Sequence, residues 1–522
     1  MKKNFFLINI NEKILILFLI LFSLLINQYY GNKGVFPLDS FSHFDSGFRV
    51  LNGEYPFRDY WITAGPFIDY IQAIFFYVIG INWQSYVLHA SFVNVLSSLI
   101  TYFILKNFKL NNYFCFFYSI LFSILAYPSS GTPFVDHHSA FFSLIGVYFF
   151  ILAIKEQKKL FSILFPIFFG FAFLSKQVPS SYIILSVIFV LIIYSIVNKN
   201  FFLIKYSFLS SISFIFFIFI FLYIQQVDVY TFLIQYIYYP LTIGTNRLDG
   251  IDFTFRGLIG HFKFIYLAII PLVYFNLKKI IFKKNFYNQN DFYYFLILLS
   301  LMISLIVHQL LTKNQTFIFF LIPILSAFSH ISIIKEKYSN NILIILLITI
   351  CIFSSVKYHF RFNDDRKFHE LYNVNFDLAI DAKKIDNKLS GLKWISPFYK
   401  GNPSEEIDSI KKIKSFLNKD DRKKMIITNY SFFSVILNQK LYSPSRWYLD
   451  NGVAHPIKGS KYFENYRTFF IKQIKENDIK AIYIMGVSPQ SLTSIISEKC
   501  LKTSSLDNKT NIHLILECDD LE

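Results

Sequence analysis

The residues best suited to chemistry are carboxylates in a polar stretch near the N-terminus. Asp45 lies in the sequence HFDSGF, and Asp59 follows in NGEYPFRDYW, beside Arg58 and aromatic residues. A carboxylate with glycine and aromatic neighbours can take a proton from a substrate that approaches closely. Solvation in a surface loop is the alternative for any one of these acids. The set as a whole predicts a functional site.

A second group consists of Asp136, His137 and His138, which precede an apolar segment. A carboxylate beside imidazoles can bind a divalent metal ion, so these residues are candidate metal ligands. The alternative is a helix cap, in which Asp136 or Ser139 accepts hydrogen bonds from backbone N–H groups. The sequence leaves both interpretations open. A divalent metal is the one cofactor that it indicates.

Two cations lie next to apolar segments. Lys176, in LSKQ, falls between two apolar runs, where an ammonium group is costly unless it meets water or an anion. A phosphate or a carboxylate would be a suitable partner, and snorkelling to the membrane surface is the alternative. Arg247 lies in a loop and offers a planar fork that suits a phosphate, but a solvated arginine fits the sequence equally well.

Long apolar segments must position these residues. The chain has 522 residues, of which 54% are hydrophobic and 16% charged, against roughly 25% charged in soluble proteins. The net charge of +17 lies between the apolar runs rather than on a soluble face, which argues against nucleic acid as a partner. We predict an α-helical polytopic membrane protein with about eleven spans, at residues 14–30, 84–105, 112–127, 138–154, 160–174, 180–197, 206–224, 263–277, 292–309, 316–334 and 342–356.

The distribution of Lys and Arg predicts the orientation of these spans. With the N-terminus in the cytoplasm, the inner segments carry 16 Lys and Arg against 4 Asp and Glu, and the outer loops carry 8 against 9. An odd number of spans then places the C-terminal region outside. The first outer loop, residues 31–83, contains an apolar stretch at 67–80 that is too short to span and is predicted to lie at the membrane surface.

The C-terminal region differs in composition from the rest of the chain. From residue 357 onward it is charged and polar, and short β-like runs alternate with helix-like stretches. This alternation predicts a small α/β domain on the outer face. We therefore expect a transmembrane catalytic domain over residues 1–356 and a soluble outer domain over 357–522. Cys500 and Cys518 could form a disulfide there if the compartment oxidises thiols, and the sequence leaves the pairing open.

The first outer loop resembles the C-type (GT-C) glycosyltransferases, in particular the protein O-mannosyltransferases and the lipid A aminoarabinose transferases. The family pattern is an Asp shortly after the first span, then G-x-x-P-Y-x-D, then G-P-x-x-Y. This chain has Asp45, then NGEYPFRDYW, then GPFIDYIQAIFFYVIG, and Phe57 replaces the common Tyr. The specific match covers about 40 residues.

The resemblance implies an inverting glycosyltransferase in a bacterial inner membrane. Its donor would be a sugar on a polyprenyl phosphate, and its acceptor a glycan, lipid or protein at the outer face. Asp45 matches the general base of the family, and Asp59 would support catalysis. Arg58, Lys176 and Arg247 would bind the phosphate of the donor, because transfer needs positive charge at the leaving group.

Two other functions remain open from the sequence. An O-antigen-type polymerase or ligase would rely on arginine-rich outer loops, whereas the large outer loops here contain only Arg49, Arg58, Arg247 and Arg256. A lipid-linked sugar transporter without chemistry would place charged or broken helices near the membrane midplane, and the predicted spans contain few charges.

The charge balance predicts that residues 278–284 are cytoplasmic and residues 357–522 lie outside. Alkaline phosphatase is active only outside the cytoplasm, so a fusion after residue 400 should be active and a matched fusion within 278–284 should be inactive. A stably expressed but inactive fusion after residue 400 would contradict this topology.

Overall fold

The computed structural model describes residues 10–126, 131–245, 251–282, 286–312, 318–336, 341–364, 371–449, 451–507 and 509–518. In chain order its α-helices are α1 (Ile10–Gly31), α2 (Pro37–Ser40), α3 (Ser42–Leu51), α4 (Pro66–Ile79), α5 (Trp83–Asn107), α6 (Asn112–Ala126), α7 (Val135–Glu156), α8 (Lys159–Ser175), α9 (Gln177–Val197), α10 (Phe202–Ile224), α11 (Val229–Leu233), α12 (Tyr239–Thr245), α13 (Lys263–Phe282), α14 (Asn290–Thr312), α15 (Leu321–Lys335), α16 (Asn341–His359), α17 (Pro403–Lys419), α18 (Phe433–Leu437), α19 (Phe463–Asn477) and α20 (Gln490–Thr493). The strands are β1 (Ile380–Asp381), β2 (Lys393–Trp394), β3 (Lys424–Thr428), β4 (Ala481–Met485), β5 (Leu501–Asp507) and β6 (Thr510–Ile515).

Within the described ranges, eight helices are long and apolar enough to cross a membrane: α1, α5, α7, α9, α10, α13, α14 and α16. Three other predicted spans form the shorter apolar helices α6, α8 and α15. The apolar stretch predicted to lie at the membrane surface forms α4. The chain is therefore an integral membrane protein, and the predicted fold class, a polytopic helical protein with a C-terminal α/β region, is confirmed.

The chain forms two compact units. The helical unit comprises Met1–Gly31, Ala90–Phe216 and Gly250–Tyr372. The mixed unit comprises Asn32–His89, Phe217–Asp249 and Asn373–Glu522, so the first predicted outer loop belongs with the C-terminal region. The division of the chain at residue 357, which follows the predicted membrane boundary, stays a prediction.

The helical unit is built around α7. A helix that is apolar on all sides has to be surrounded by other helices, and 94% of the most apolar window of α7 is buried. It packs against α8 and α9. Gly146 permits the close approach of α8, because a Cβ atom at this position would lie 2.8 Å from Cε1 of Phe169.

The mixed unit contains a four-stranded sheet in the order β3-β4-β6-β5. Strands β3 and β4 are parallel, whereas β6 pairs antiparallel with both β4 and β5. β3 and β4 are buried along their whole length, as expected for strands that are covered on both faces. These two strands coincide with β-like runs of the C-terminal sequence, and helix-like stretches of the same region form α17 and α19.

The first predicted outer loop is joined to the C-terminal region by backbone hydrogen bonds and by a shared aromatic core. The Val35 N–H donates to the Ile395 carbonyl at 2.9 Å, and the Trp61 N–H donates to the Pro444 carbonyl at 2.9 Å. Phe41, which is fully buried, packs against a set of aromatic rings at centroid distances of 4.7–5.6 Å: Trp83, Trp394 and Phe432. These contacts fix the segment that carries Asp45.

Cys500 and Cys518 form a disulfide, which joins the start of β5 to the segment after β6. A proteolytic digest without reductant should contain linked peptides with these two residues, whereas Cys115 and Cys351 should react with an alkylating agent after denaturation alone, since both are free thiols. Mass spectrometry of the full-length protein, purified with its thiols protected, measures both. Free thiols at Cys500 and Cys518 would contradict the pairing.

Candidate active site

Helix α3 carries polar side chains on two of its faces. Asp45 and Arg49 are one turn apart and form one face, while His43 and Ser46 form another. The helix packs closely against α4, since a Cβ atom at Gly47 would lie 2.5 Å from Cγ of Gln72. The glycine after Asp45 therefore serves helix packing.

The second face of α3 binds a fully buried carboxylate, Asp69 in the first turn of α4. His43 Nδ1 lies 2.7 Å from Asp69 Oδ1, and Ser46 Oγ donates to the same oxygen at 2.5 Å. Tyr60 donates to Oδ2 at 3.1 Å, and Arg446 Nη1 lies 3.2 Å from Oδ1. Asp69, which lies in α4, thus links α3, the segment between α3 and α4, and the C-terminal region of the mixed unit.

The charges of this cluster are balanced by one arginine. Burial alone would raise the pKa of Asp69, but Arg446 and the hydrogen bond from His43 lower it below its usual value. Burial, with the charge of Arg446, lowers the pKa of His43 to about 4. At neutral pH the cluster is therefore an Asp69–Arg446 ion pair with a neutral His43, which donates to the carboxylate from Nδ1. A buried ion pair of this kind is stable only when its remaining hydrogen-bonding groups are satisfied.

On the first face, Asp45 is 7% exposed and accepts a hydrogen bond from the Ser434 hydroxyl of α18. A cavity of about 10 Å³ adjoins the carboxylate, which is room for about one water molecule. The cavity is lined by residues that follow β3, including Tyr430, and by Tyr442.

Asp45 has a pKa suited to proton transfer near neutrality. Burial raises it to about 6, although Arg49 and the hydrogen bond from Ser434 act in the opposite direction. Arg49 is itself paired with Glu54 at 2.9 Å, and its guanidinium lies 4.3 Å from the centroid of the Tyr60 ring. The cation nearest to Asp45 is thus largely neutralised by another acid, which leaves the Asp45 carboxylate able to gain and lose a proton.

Asp59 and Arg58 pair with each other in the first loop. Arg58 Nη2 donates to Asp59 Oδ2 at 2.7 Å, and the Tyr55 N–H donates to the same oxygen at 2.6 Å. Arg58 also donates to the carbonyls of Gly53 and Gln225 at 2.8 and 3.0 Å. These bonds fold the loop on itself. The supporting catalytic role of Asp59 and the phosphate-binding role of Arg58 stay predictions.

In the helical unit, Asp136 pairs with Lys176 and His308. Lys176 Nζ lies 2.7 and 2.8 Å from the two carboxylate oxygens, and His308 Nε2 lies 2.9 Å from Oδ1. The ammonium of Lys176 has therefore met an anion, as its position in the sequence requires. Lysine has three N–H donors, and one remains for a phosphate, so the donor-binding role of Lys176 stays a prediction.

His137 and His138 do not join Asp136. His137 Nε2 lies against the carbonyl of Ala126, and His138 Nδ1 lies 3.0 Å from the carbonyl of Phe134. Over the described ranges, no group of three or more His, Cys, Asp or Glu side chains could hold a metal ion. The three side chains therefore do not converge on one point in this structure, and the metal-binding role of Asp136, His137 and His138 stays a prediction.

Sequence reasoning missed Asp69 and Arg446, and Arg247 lies outside the described residues. Asp69 did give a signal: an acid within the apolar α4 must find a partner or remain at the surface. Arg446 gave none, because its partner lies 377 residues away in the chain.

The fold resembles that of a solved membrane protein. The crystal structure of ArnT from Cupriavidus metallidurans bound to undecaprenyl phosphate aligns with a TM-score of 0.46 and 10% identity, over 95% of this chain and 97% of that one. The apo structure of the same protein gives a TM-score of 0.48, also at 10% identity and over the same shares of both chains. No family model and no curated protein matches the sequence.

The Asp69 cluster predicts a large effect of Arg446→Met on stability. Removal of one partner of a buried ion pair leaves an uncompensated charge and costs about 3–5 kcal/mol. The unfolding temperature of the purified full-length protein should fall, and the double variant Asp69→Asn/Arg446→Met should regain part of the loss.

Arg422→Met is the matched control for this prediction. It removes an ion pair to Asp420 in which the arginine side chain is 42% exposed, and such pairs contribute about 1 kcal/mol or less. Equal unfolding temperatures for Arg446→Met and Arg422→Met would show that Asp69 does not depend on Arg446.

Proposed function

We propose that this chain is a GT-C-type glycosyltransferase that moves a sugar from a polyprenyl-phosphate-linked donor to an acceptor at the outer face of a bacterial inner membrane. The topology is supported by the distribution of Lys and Arg, which puts the N-terminus in the cytoplasm and the C-terminal region outside. The likeness of the first outer loop to GT-C enzymes motivates the donor class.

The observation that carries the proposal is the environment of Asp45. This carboxylate is 7% exposed, has a pKa raised to about 6 and accepts one described side-chain hydrogen bond, from Ser434. A general base works best when its pKa lies near the operating pH. Asp69, by contrast, has a lowered pKa and its oxygens are taken up by four side chains, so it is suited to holding structure.

In the proposed step Asp45 accepts the proton of the acceptor nucleophile. The nucleophilic oxygen would occupy the space beside Asp45 and attack the anomeric carbon of the donor sugar. The bond between that carbon and the phosphate oxygen breaks, and its electron pair leaves with the polyprenyl phosphate. Attack from the side opposite the phosphate inverts the configuration of the sugar.

A bulky acceptor requires more room than this cavity of about 10 Å³ offers. The walls around Asp45 come from the loop after β3 and from Leu441 to Ser443. We therefore propose that these segments separate from α3 when the acceptor enters, which breaks the hydrogen bond between Ser434 and Asp45. Since that bond lowers the pKa of Asp45, its loss makes the carboxylate a stronger base.

The leaving phosphate needs positive charge, and Lys176 is a candidate for supplying it. Its ammonium is 23% exposed and keeps one N–H beyond its two bonds to Asp136. The arginines of the first loop are paired too, Arg49 with Glu54 and Arg58 with Asp59, and Arg58, which is 29% exposed, stays a second candidate. The same pairing speaks against an O-antigen-type polymerase or ligase that relies on these arginines. A transporter that carries out no chemistry would not need a carboxylate with a pKa raised toward neutrality, as that of Asp45 is.

Asp45→Asn should abolish transfer while the protein still folds and binds the donor. The amide keeps the size of the side chain but cannot accept the proton, so the rate should fall at least about 100-fold. The assay incubates the purified full-length protein in lipid nanodiscs with a panel of synthetic polyprenyl-phosphate sugars and a cell-envelope extract as acceptor. Release of polyprenyl phosphate in a single turnover gives the rate.

Asp59→Asn is the comparison variant. It removes the charge that holds Arg58, so we expect weaker donor binding or a disturbed loop, with a smaller effect on the rate at saturating donor. Near-wild-type turnover by Asp45→Asn, together with loss of turnover by Asp59→Asn, would transfer the role of base to Asp59. No release of polyprenyl phosphate by the wild type from any donor would contradict the enzymatic proposal itself.

A further inference from the structure

A cleft in the helical unit is lined by five basic side chains. Its volume is about 240 Å³. Its basic residues come from the π-helical turn before α13, from the start of α13 and from the end of α16: Arg256, His261, Lys263, Lys357 and Arg361.

The cleft lies where two candidate membrane spans end. Lys263 is the first residue of α13, and Lys357 and Arg361 belong to the last turns of the span that starts with α16. The two helices pack against each other, and the Tyr358 hydroxyl donates to the His261 carbonyl at 3.2 Å. A cleft at the ends of two spans is placed to meet the headgroup region of a bilayer.

Aromatic rings form a rigid wall of the cleft. The Tyr358 ring stacks on Phe319 with centroids 3.7 Å apart and planes 14° apart, and Phe362 stacks on Phe319 at 5.4 Å. All three rings are buried. The cations of the cleft therefore lie beside an apolar surface.

The basic residues of the cleft differ from three other lysines of the helical unit. Lys106, Lys176 and Lys335 each form an ion pair with a carboxylate. Over the described ranges, neither Lys357 nor Arg361 has a carboxylate within 4.0 Å. The same holds for Arg256 and Lys263.

The charges of the cleft act on one another. Burial lowers the pKa of His261, and the charges of Arg361 and Arg256 lower it further. The charge of Asp252 acts on His261 in the opposite direction, and its carboxylate also accepts a hydrogen bond from the Thr254 N–H at 2.9 Å. A bound anion would relieve this repulsion between cations.

We propose that this cleft binds the phosphate group of a membrane lipid. Two arginines offer planar forks that match phosphate oxygens, and the lysines add point charges. The N-terminal N–H groups of α13, a helix of 20 residues, add a further favourable potential for an anion. The phosphate can belong to a bilayer phospholipid or to a polyprenyl phosphate, which share this chemistry. The site does not depend on the assignment of Asp45.

Native mass spectrometry of the delipidated full-length protein tests this site. The probes are phosphatidylglycerol, undecaprenyl phosphate and the zwitterionic phosphatidylcholine. Lys357→Gln/Arg361→Gln should weaken binding of at least one anionic lipid about 30-fold, as expected for the loss of two cations at a charged lipid surface, and leave phosphatidylcholine unaffected. Loss confined to undecaprenyl phosphate assigns the cleft to a phosphate monoester, and loss of both anionic lipids assigns it to lipid phosphates in general.

Lys199→Gln/Lys205→Gln is the control, because it removes the same charge from exposed positions at the junction of α9 and α10. Equal weakening by the control, or unchanged binding of both anionic lipids by Lys357→Gln/Arg361→Gln, overturns the proposal. If that variant does not elute as a monodisperse protein, Arg256→Gln/Lys263→Gln takes its place, with the same two outcomes.

Discussion

Asp69 is a carboxylate without exposed surface, and the mixed unit is arranged around its neutralisation. Taking an ionised carboxylate out of water costs several kcal/mol, so the groups that meet it have to be held in place. They come from α3, from the first loop and from the C-terminal region. The ion pair with Arg446 therefore ties together segments that lie 377 residues apart.

The position of Asp45 follows from that constraint. His43 and Ser46 point one face of α3 toward Asp69, and the helical geometry then directs Asp45 away from it, toward Ser434 and the loop after β3. The two acids are both buried but have opposite pKa shifts. Asp69 has a full positive charge beside it, whereas the cation near Asp45 is shared with Glu54. One helix thus separates a structural acid from the proposed base.

Much of the fold could be predicted from the sequence because its determinants are local. The apolar runs are long enough to form spans, and the short runs at Met425 and Ala481 are followed or preceded by amphipathic helices. Less of the candidate site could be predicted from the sequence. Asp45 could be identified from its neighbours and its family resemblance, but Ser434, one of the groups that set its pKa, lies 389 residues away. His137 and His138 follow Asp136 in the chain, yet they bond to backbone carbonyls, since consecutive helical residues point in different directions.

The central claim is that Asp45 accepts the proton during transfer, and the pH dependence of single-turnover transfer tests it most directly. A base works only when ionised, so the single-turnover rate at subsaturating acceptor, which reflects the free protein, should rise about tenfold per pH unit at low pH and level off above a pKa of about 6. Asp45→Glu should retain part of the activity and shift the apparent pKa, because the carboxylate is moved while the rest of the site is unchanged. A wild-type rate that is constant from about pH 4.5 to 8, or an unshifted profile for Asp45→Glu, would contradict the assignment.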